Sequence, residues 1–266
     1  MADSETQIPA KDSDSFPTNL VHHLRALTRF VLVKTEEELL FIKRFSQYYM
    51  SKYRDRTWVF NAEYGLQLVS DYLTVKTTGR AHPPPLAKCS DFTFSNIPSH
   101  SREDMLNAGH NAMSIISAHD PGAMENFYLV TDPEVWFDDS LMVRRLVNLA
   151  VQLEEDPRVV KCLIFIGHPS VVIPRKLRQF FETTGYELSD LEIEAAVQHF
   201  IELFGDIEAP KDMSIFRGLT TFEIGSAITQ SIVAQSVKTS EGPEKWKPHI
   251  NPDFIRRYKD SRLVMR

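Results

Sequence analysis

"FVLVKTEEE", residues 30–38, passes directly from a short apolar run into the start of a helix. Residues 30–33 have the length and the uninterrupted apolar character of a buried strand. From residue 36 to residue 52, apolar side chains recur at helical spacing, at Leu39, Leu40, Ile42, Phe45 and Tyr49. Thr35 and Glu38 have the spacing of a capping box, in which each side chain accepts a hydrogen bond from the other residue's amide. The stretch therefore predicts a strand followed at once by a helix.

The same alternation of strand and helix continues along the chain. Further strands are predicted at residues 57–60, 127–131, 159–166 and, as a short final strand, 185–188. Helices are predicted before, between and after them, at residues 19–29, 64–73, 101–118, 140–153 and 173–181. Strands that are apolar on both faces and separated by helices are typical of a parallel sheet covered on both sides. The sequence thus predicts an α/β fold with a three-layer parallel sheet.

The chain divides by composition into a leader, a core and a helical end. Residues 1–17 are polar and predict a disordered leader, and residues 18–190 predict the α/β core. Residues 191–266 predict a small helical lid and a basic tail, with helices at 191–204, 220–237 and 252–262. Within the core, residues 74–100 contain Pro83, Pro84 and Pro85 and predict a long loop.

Composition indicates a cytoplasmic protein without a membrane segment. The 266 residues are 42% hydrophobic, which is enough for a full core, and no apolar stretch approaches the roughly 20 residues that cross a bilayer. The two cysteines, Cys89 and Cys162, imply no disulfide framework, and Cys162 lies in an apolar run typical of a buried thiol. The N-terminus lacks the apolar core of a signal peptide.

Charge is unevenly distributed along the chain. The formal net charge is −6, whereas residues 238–266 contain eight Lys and Arg against four Asp and Glu. A basic tail of this kind is compatible with a nucleic-acid partner, but the overall sign does not favour one. A solvated, partly helical tail is the favoured interpretation.

Candidate ligand-binding residues follow the predicted strands, because ligands of parallel α/β sheets bind beyond the carboxyl ends of the strands. These positions are Lys34-Thr35, Asn61, Asp132-Pro133 and Gly167-His168. A phosphate cradle needs glycines between the first strand and its helix, so that backbone amides can curl around the phosphate oxygens. This chain instead has three consecutive glutamates, Glu36 to Glu38, which repel a triphosphate. We therefore expect no cofactor, and ATP with magnesium only in an unusual site made by Lys34, Thr35 and Asp132.

Asp132 follows an apolar strand, as the magnesium-holding aspartate of a Walker B motif does. The next residue is Pro133, where a catalytic glutamate would be expected, and Asp-Pro is also a common way to end a strand, which is the favoured interpretation. The chain has no HExxH or GxSxG motif and no Cys/His cluster. No catalytic or metal-binding residue is assigned, and the sequence does not favour an enzyme.

Several stretches resemble one known family. They read "LRALTRFVLVKTEEELLFIKRF" (24–45), "FYLVTDPEVWFDDSLMVRRLVNLA" (127–150), "LIFIGHPSVVIPRKLRQFFE" (163–182), "RGLTTFEIGSAITQSIV" (217–233) and "INPDFIRRYKDSRL" (250–263). In this order they resemble the non-catalytic N-terminal region of the AAA ATPase family first noted as a conserved chloroplast reading frame. The resemblance covers roughly residues 20–264 and implies an AAA+/P-loop type core without a P-loop, partner binding or oligomerisation, and a cytoplasmic setting.

The family resemblance also suggests a role for arginines. A guanidinium is the usual trans-acting group in AAA-type rings, so Arg144, Arg145, Arg175 and Arg178 are candidates for inter-subunit or anion contacts. A charged helix face is the alternative, and it is favoured. Family members continue into a domain with true Walker motifs, whereas this sequence ends at Arg266, so we expect either a stand-alone form or a fragment.

Three functions follow from these patterns. The favoured one is a non-catalytic AAA+-like module that binds a protein, either another ATPase or copies of itself. The second is an ATP-binding regulator or ATPase that uses Lys34, Thr35 and Asp132 as a degenerate nucleotide site. The third is a nucleic-acid accessory protein whose tail, residues 238–266, contacts backbone phosphates.

Overall fold

The computed structural model describes residues 18–26, 28–53, 56–62, 65–78, 102–119, 125–156, 159–205, 207–236 and 249–263. These residues belong to two compact units that meet in sequence between Tyr186 and Glu187. The predicted leader, residues 1–17, lies outside the described residues, as does the part of the basic tail between residues 237 and 248.

The first unit contains the sheet. Its helices are α1 (Thr18–Arg25), α2 (Glu38–Tyr53), α3 (Val69–Thr78), α4 (Arg102–Ala118), α5 (Pro133–Phe137) and α6 (Ser140–Glu155). Its strands are β1 (Phe30–Lys34), β2 (Thr57–Asn61), β3 (Gly65–Leu68), β4 (Asn126–Val130), β5 (Lys161–Gly167) and β6 (Phe181–Gly185).

The described strands form one six-stranded sheet in the order β3-β2-β4-β5-β1-β6. All neighbouring pairs are parallel except β2 and β3, which are antiparallel. The mostly parallel α/β sheet predicted from the sequence is therefore confirmed, with one antiparallel strand added at an edge.

Two apolar clusters cover the two faces of the sheet. Alternate residues of β1 face opposite sides, so that Phe30 and Leu32 belong to one cluster and Val31 and Val33 to the other. The first cluster is completed by residues of α4, α5 and α6, and the second by residues of α1, α2 and α3. This arrangement is the predicted three-layer architecture. Cys162 is buried in the second cluster, as expected.

The predicted helix at residues 64–73 is wrong in its first half. Residues Gly65–Leu68 are strand β3, which pairs back onto β2 with Asn61 opposite Gly65. Gly65 has a φ of 72°, a left-handed conformation that glycine adopts freely and that allows the chain to reverse. Helix α3 then runs through Thr78, so the predicted loop begins later than residue 74, and residues 79–100 lie outside the described part of the chain.

The end of the first unit also differs from the prediction. Residues 173–181 do not form an α-helix; they contain turns and a short 3₁₀ segment, Arg178–Phe180, that leads into β6. The final strand is Phe181–Gly185 rather than residues 185–188. In β6 only Phe181 and Thr184 are buried, so the strand lacks the continuous apolar run by which the others were recognised.

The second unit consists of α7 (Asp190–Phe204), α8 (Thr221–Ser236) and α9 (Pro252–Leu263). Ser189 and Glu192 form a capping box at the start of α7: the Ser189 hydroxyl accepts from the Glu192 amide, and the Glu192 carboxylate accepts from the Ser189 amide. Apolar residues of all three helices share one core, with Ile193, Ile228 and Ile255 fully buried. Among the described residues, no helix is long and apolar enough to cross a membrane.

Candidate functional site

The sequence predicted a site where the parallel strands have their carboxyl ends. This side of the sheet is called the carboxyl edge, and the opposite side, where the strands begin, is called the amino edge. The ends of β1, β5 and β4 are neighbours there, with Lys34 opposite Gly167 in the parallel register of β1 and β5. Thr35 directly follows β1, and Asp132 lies two residues after the end of β4. The fold therefore brings Lys34, Thr35 and Asp132 to the same edge of the sheet.

The turn between β1 and α2 has three residues, Thr35 to Glu37, and its hydrogen bonds are internal. The Thr35 amide donates to the carbonyl of Gly167 at 2.9 Å, which extends the pairing of β1 and β5 by one residue. The Glu37 amide donates to the Thr35 hydroxyl, also at 2.9 Å. Two of the amides that a phosphate would need are thus already used within the protein.

The capping box predicted for Thr35 and Glu38 is wrong. The Thr35 hydroxyl accepts from residue 37 rather than from residue 38. The Glu38 carboxylate accepts a hydrogen bond from the Tyr72 hydroxyl of α3, with an oxygen–oxygen distance of 3.4 Å. The Thr35 amide that a capping box would offer to Glu38 donates instead to the Gly167 carbonyl.

Lys34 is held by the loop that follows β5. Its ammonium donates to the carbonyl of Pro169, and the two atoms are 3.0 Å apart. In the same loop, His168 Nε2 lies 3.4 Å from a carboxylate oxygen of Glu36, and His168 Nδ1 lies 2.7 Å from the Ser170 hydroxyl. These contacts join the β1–α2 turn to the end of β5.

Glu38 is the electrostatically unusual residue of the edge. Burial is the largest cause that raises the pKa of its carboxyl, the nearby carboxylates of Asp132 and, more weakly, Glu134 also raise it, and the net pKa is about 7. Lys76 and the hydrogen bond from Tyr72 act in the opposite direction. The carboxyl therefore exchanges its proton near neutral pH, which the sequence alone did not reveal.

Asp132 has a left-handed backbone, with φ 54° and ψ 48°. Among the described non-glycine residues, it alone has a positive φ. Aspartate tolerates this conformation better than most residues, but it still carries some strain. The preceding residue, Thr131, donates its hydroxyl to the carbonyl of Phe60, and the same hydroxyl accepts from the side-chain Nδ2 of Asn61, which fixes the end of β4 against β2. The residue before the turn that starts α5 is thus joined to β2 by two hydrogen bonds.

Of the four predicted arginines, Arg145 is engaged within its own unit. Its guanidinium donates to the carbonyl of His110 at 3.0 Å and to the hydroxyl of Ser114 at 2.6 Å, both on α4. His110 Nε2 lies 2.7 Å from the carboxylate of Asp139, the residue that caps α6. Burial raises the pKa of Asp139, but hydrogen bonds from the Leu141 amide and from His110 outweigh it, and the net pKa is lowered.

The other three arginines are exposed to solvent. Arg144 lies on α6, and Arg175 lies in the segment between β5 and β6. Arg178 donates from Nε to the carbonyl of Ile173 at 3.3 Å and precedes β6, whose first residue pairs with the first residue of β1. Arg178 therefore lies near the amino edge of the sheet, away from Lys34, Thr35 and Asp132.

Metal ligation has no support in the described part of the chain, where no group of three or more His, Cys, Asp or Glu could hold an ion. The carboxyl edge instead combines an engaged lysine, a closed turn and a group of carboxylates. Such an arrangement can bind and release a proton at Glu38.

A comparison with known protein families identifies the family of the chain. The family described as "SpoVK-like AAA ATPase, N-terminal domain" matches residues 16–184. The match covers more than half of the sequence, so the chain belongs to this family and its fold is of the AAA+ type. No curated protein matches the chain.

Several solved structures, one of them an AAA domain, are similar to the chain at low identity. The FIGL-1 AAA domain in complex with ADP is 8% identical, with a TM-score of 0.46 over 91% of this chain and 73% of that chain. PCH-2 of C. elegans is 12% identical, with a TM-score of 0.40 over 94% of this chain and 71% of that one. Cdc6p of Pyrobaculum aerophilum is 11% identical, with a TM-score of 0.41 over 98% of this chain and 71% of that one.

Proposed function

We propose that this protein is a non-catalytic AAA+-type module that acts by binding a protein, either an AAA ATPase or further copies of itself. The observation that carries the proposal is the closed turn between β1 and α2. In an AAA+ fold this is the position where a nucleotide's phosphates would be expected to lie.

The hydrogen bonds of the turn support the proposal. A P-loop contains about eight residues and several glycines, because its backbone amides must point inward at the phosphate oxygens. The turn here has three residues, and the amides of Thr35 and Glu37 donate to the Gly167 carbonyl and the Thr35 hydroxyl. Opening the turn for a phosphate would break the pairing between the ends of β1 and β5.

The charges at the edge support it as well. A triphosphate would have to approach Glu36, Glu37 and Glu38 at the start of α2, together with Asp132 at the end of β4. Lys34, the cation best placed by sequence to offset them, donates to the Pro169 carbonyl. Like charges within a few ångströms repel each other, so the carboxylates oppose the binding of a polyphosphate at this edge.

The partner is proposed from the family. Its description names the N-terminal domain of an AAA ATPase, and the sequence resembles the ATPases first noted as a conserved chloroplast reading frame. We propose that the protein regulates or assembles with an ATPase of that group in the cytoplasm. The function of a module with this fold still depends on its surface, because one fold can carry many functions.

Calorimetric titration with ATP and with ADP, each with and without magnesium, tests the nucleotide part of the proposal. We expect no heat of binding at millimolar nucleotide. Micromolar affinity, lost in Lys34→Ala and Asp132→Ala, would show that the edge is a nucleotide site and would overturn the proposal.

The partner part is tested by sedimentation. The purified chain is run over a range of concentrations, alone and with a purified SpoVK-like ATPase of the same host. We expect a shift toward a larger species in at least one of the two series. A chain that stays monomeric at high concentration and beside the ATPase would contradict the proposed role.

A degenerate nucleotide site remains the second candidate, because Lys34, Thr35 and Asp132 lie at one edge and Asp132 has a strained backbone of the kind often found at functional sites. Thermal unfolding with ATP and magnesium tests this alternative. Binding at a hundred times the dissociation constant would add about 2.7 kcal/mol to the free energy of unfolding. An unchanged melting temperature would remove the alternative.

A further inference from the structure

A groove lies at the amino edge of the sheet, opposite the edge considered so far. Its volume is about 360 Å³, which is within the range of small-molecule sites. Its lining comes from the residues just before β1, from the last turns of α6 and from the residues just before β6: Thr28, Arg29, Ala150, Leu153, Glu154, Gln179 and Phe180.

Arg29 contributes a cation with spare hydrogen-bonding capacity. Its backbone is fixed, since its carbonyl accepts from the Leu163 amide at 2.8 Å. Within the described residues, its buried Nη1 atom has no hydrogen-bond partner. The nearby thiol of Cys162 supplies no negative charge, because burial raises the pKa of that thiol to about 12. A guanidinium nitrogen left unpaired in a protein interior is costly, so an acceptor that reached it would be bound favourably.

Glu154 contributes the opposite charge. It lies on the same face of α6 as Ala150 and Leu153, at the spacing of three and four residues that places side chains side by side. Its side chain is exposed, and among the described residues no ion pair is found for either Glu154 or Arg29. The Glu154 carboxylate is therefore open to a ligand, whereas the Arg29 guanidinium reaches a ligand once its side chain turns toward the groove.

The rest of the lining is apolar with a polar rim. Leu153 and Ala150 are nearly fully buried and form the floor, and Phe180 is half-buried beside them. Thr28 and Gln179 add a hydroxyl and an amide. A ligand that matches this lining has one anionic end, one cationic end and an apolar body between or beside them.

We propose that the groove binds a small zwitterion, an α-amino acid with an apolar side chain. Its carboxylate accepts from Arg29, whose planar guanidinium is suited to carboxylates once it turns toward the groove that it already lines. Its ammonium group lies against the Glu154 carboxylate, and its side chain packs on Leu153 and Phe180. This site is independent of the carboxyl edge and of the proposed partner.

Thermal unfolding of the intact chain with L-leucine tests the proposal, with two compounds that each lack one charge. They are 4-methylpentanoate, which lacks the amine, and 3-methylbutylamine, which lacks the carboxylate. We expect a saturable rise in melting temperature with leucine and at least a tenfold weaker effect of each truncated compound, about the loss of one charged contact. No shift with leucine at millimolar concentration overturns the proposal, and an equal effect of 4-methylpentanoate overturns the zwitterion in favour of a simple anion site.

Variants locate the site. Glu154→Gln removes an exposed charge and is expected to fold normally while weakening leucine at least tenfold, and Arg29→Met is expected to do the same. Glu155→Gln is the matched control, since the next residue of α6 does not line the groove. If Glu155→Gln weakens leucine as much as Glu154→Gln does, or if neither Glu154→Gln nor Arg29→Met weakens it, the leucine is bound elsewhere and the assignment is wrong.

Discussion

Each edge of the sheet holds an ionisable side chain that is at least partly buried, and the groups around the two side chains differ in charge. At the amino edge, Lys161 is only 4% exposed, and its ammonium donates to the carbonyls of Ile116 and Ser117 at 2.7 and 3.0 Å. At the carboxyl edge, Glu38 is partly buried near Asp132, a group of the same sign, and its pKa is raised to about 7.

The difference comes from what each charge faces. Ile116 and Ser117 end α4, and the carbonyls at a helix C-terminus form the negative end of the helix dipole. A buried lysine there satisfies groups that would otherwise be unpaired. Glu38 starts a helix, which suits its charge, but the neighbouring carboxylates do not. A charge is therefore tolerated in a buried position only where the surrounding groups are of complementary sign.

Removing the amino-edge charge should have the largest effect. Lys161→Met leaves two buried carbonyls without their donor, and we expect a loss of about 3–4 kcal/mol in the free energy of unfolding. Chemical denaturation measures it. Lys176→Met, at an exposed position, is the control and should change stability by less than about 0.5 kcal/mol. Equal effects of the two substitutions on the free energy of unfolding would contradict the stabilising role given to the buried Lys161 ammonium.

Removing the carboxyl of Glu38 at the carboxyl edge should raise the free energy of unfolding. Because the pKa of Glu38 is raised from 4.5 to about 7, the folded protein holds a proton that the unfolded chain has released. The stability from this group is complete below pH 4.5 and is lost as the pH rises through 7, by on the order of 2–3 kcal/mol.

Glu38→Gln should therefore be more stable than the wild type at pH 8, and the difference should disappear below about pH 4.5. Denaturation at a series of pH values measures this. Glu37→Gln removes a carboxylate from the same turn and is the matched control, for which we expect no comparable pH dependence. A stability difference that is constant across pH would mean that Glu38 does not titrate in this range.

Adding a methyl group at Gly167, at the carboxyl edge, should lower the free energy of unfolding by less than these charge substitutions change it. In Gly167→Ala, the new Cβ would lie 2.6 Å from Pro133 Cγ and 2.9 Å from Val171 Cγ2. Overpacking of this kind destabilises by about 1–2 kcal/mol, measured by denaturation. Gly185→Ala is the control at the end of β6, because its Cβ would have no neighbour nearer than the Lys34 carbonyl at 4.0 Å. An undisturbed Gly167→Ala protein would show that α5 can move away from β5.

The smallest effect is expected at Asp132. Asp132→Asn keeps a side chain that tolerates the left-handed backbone and removes the charge that acts on Glu38. We expect a gain of about 1 kcal/mol at pH 8 and a lower pKa for Glu38, followed by NMR titration of its carboxyl carbon. Glu134→Gln should lower that pKa less, since Glu134 is the weaker influence. An unaltered Glu38 pKa in Asp132→Asn would exclude the proposed coupling.

Much of the fold was predictable because its central strands are buried on both faces. β1, β2, β4 and β5 are almost wholly buried, and an uninterrupted apolar run reports this directly. Strand β3 was missed because it has only four residues, with Gly65 and the polar Gln67 among them. Strand β6 was misplaced because only two of its five residues are buried. The short helix α5 was missed because Asp132-Pro133 also fits a turn.

The candidate site was predictable in position but not in its chemistry. Residues that follow parallel strands must share an edge, so Lys34, Thr35 and Asp132 could be grouped from the sequence. The hydrogen bond from Tyr72 to Glu38 and the contact between His168 and Glu36 depend on how side chains of distant segments face each other. No spacing within one segment carries that information.

Strand β6, one of the two outermost strands of the described sheet, limits how copies of this protein can associate through it. An edge strand has backbone groups on one side that no neighbour in the sheet uses, and another chain can add a strand there. Glu182 and Thr183 are exposed in the middle of β6, and a carboxylate at that position would have to lose water if a second strand were added. Strand addition at β6 is thereby discouraged.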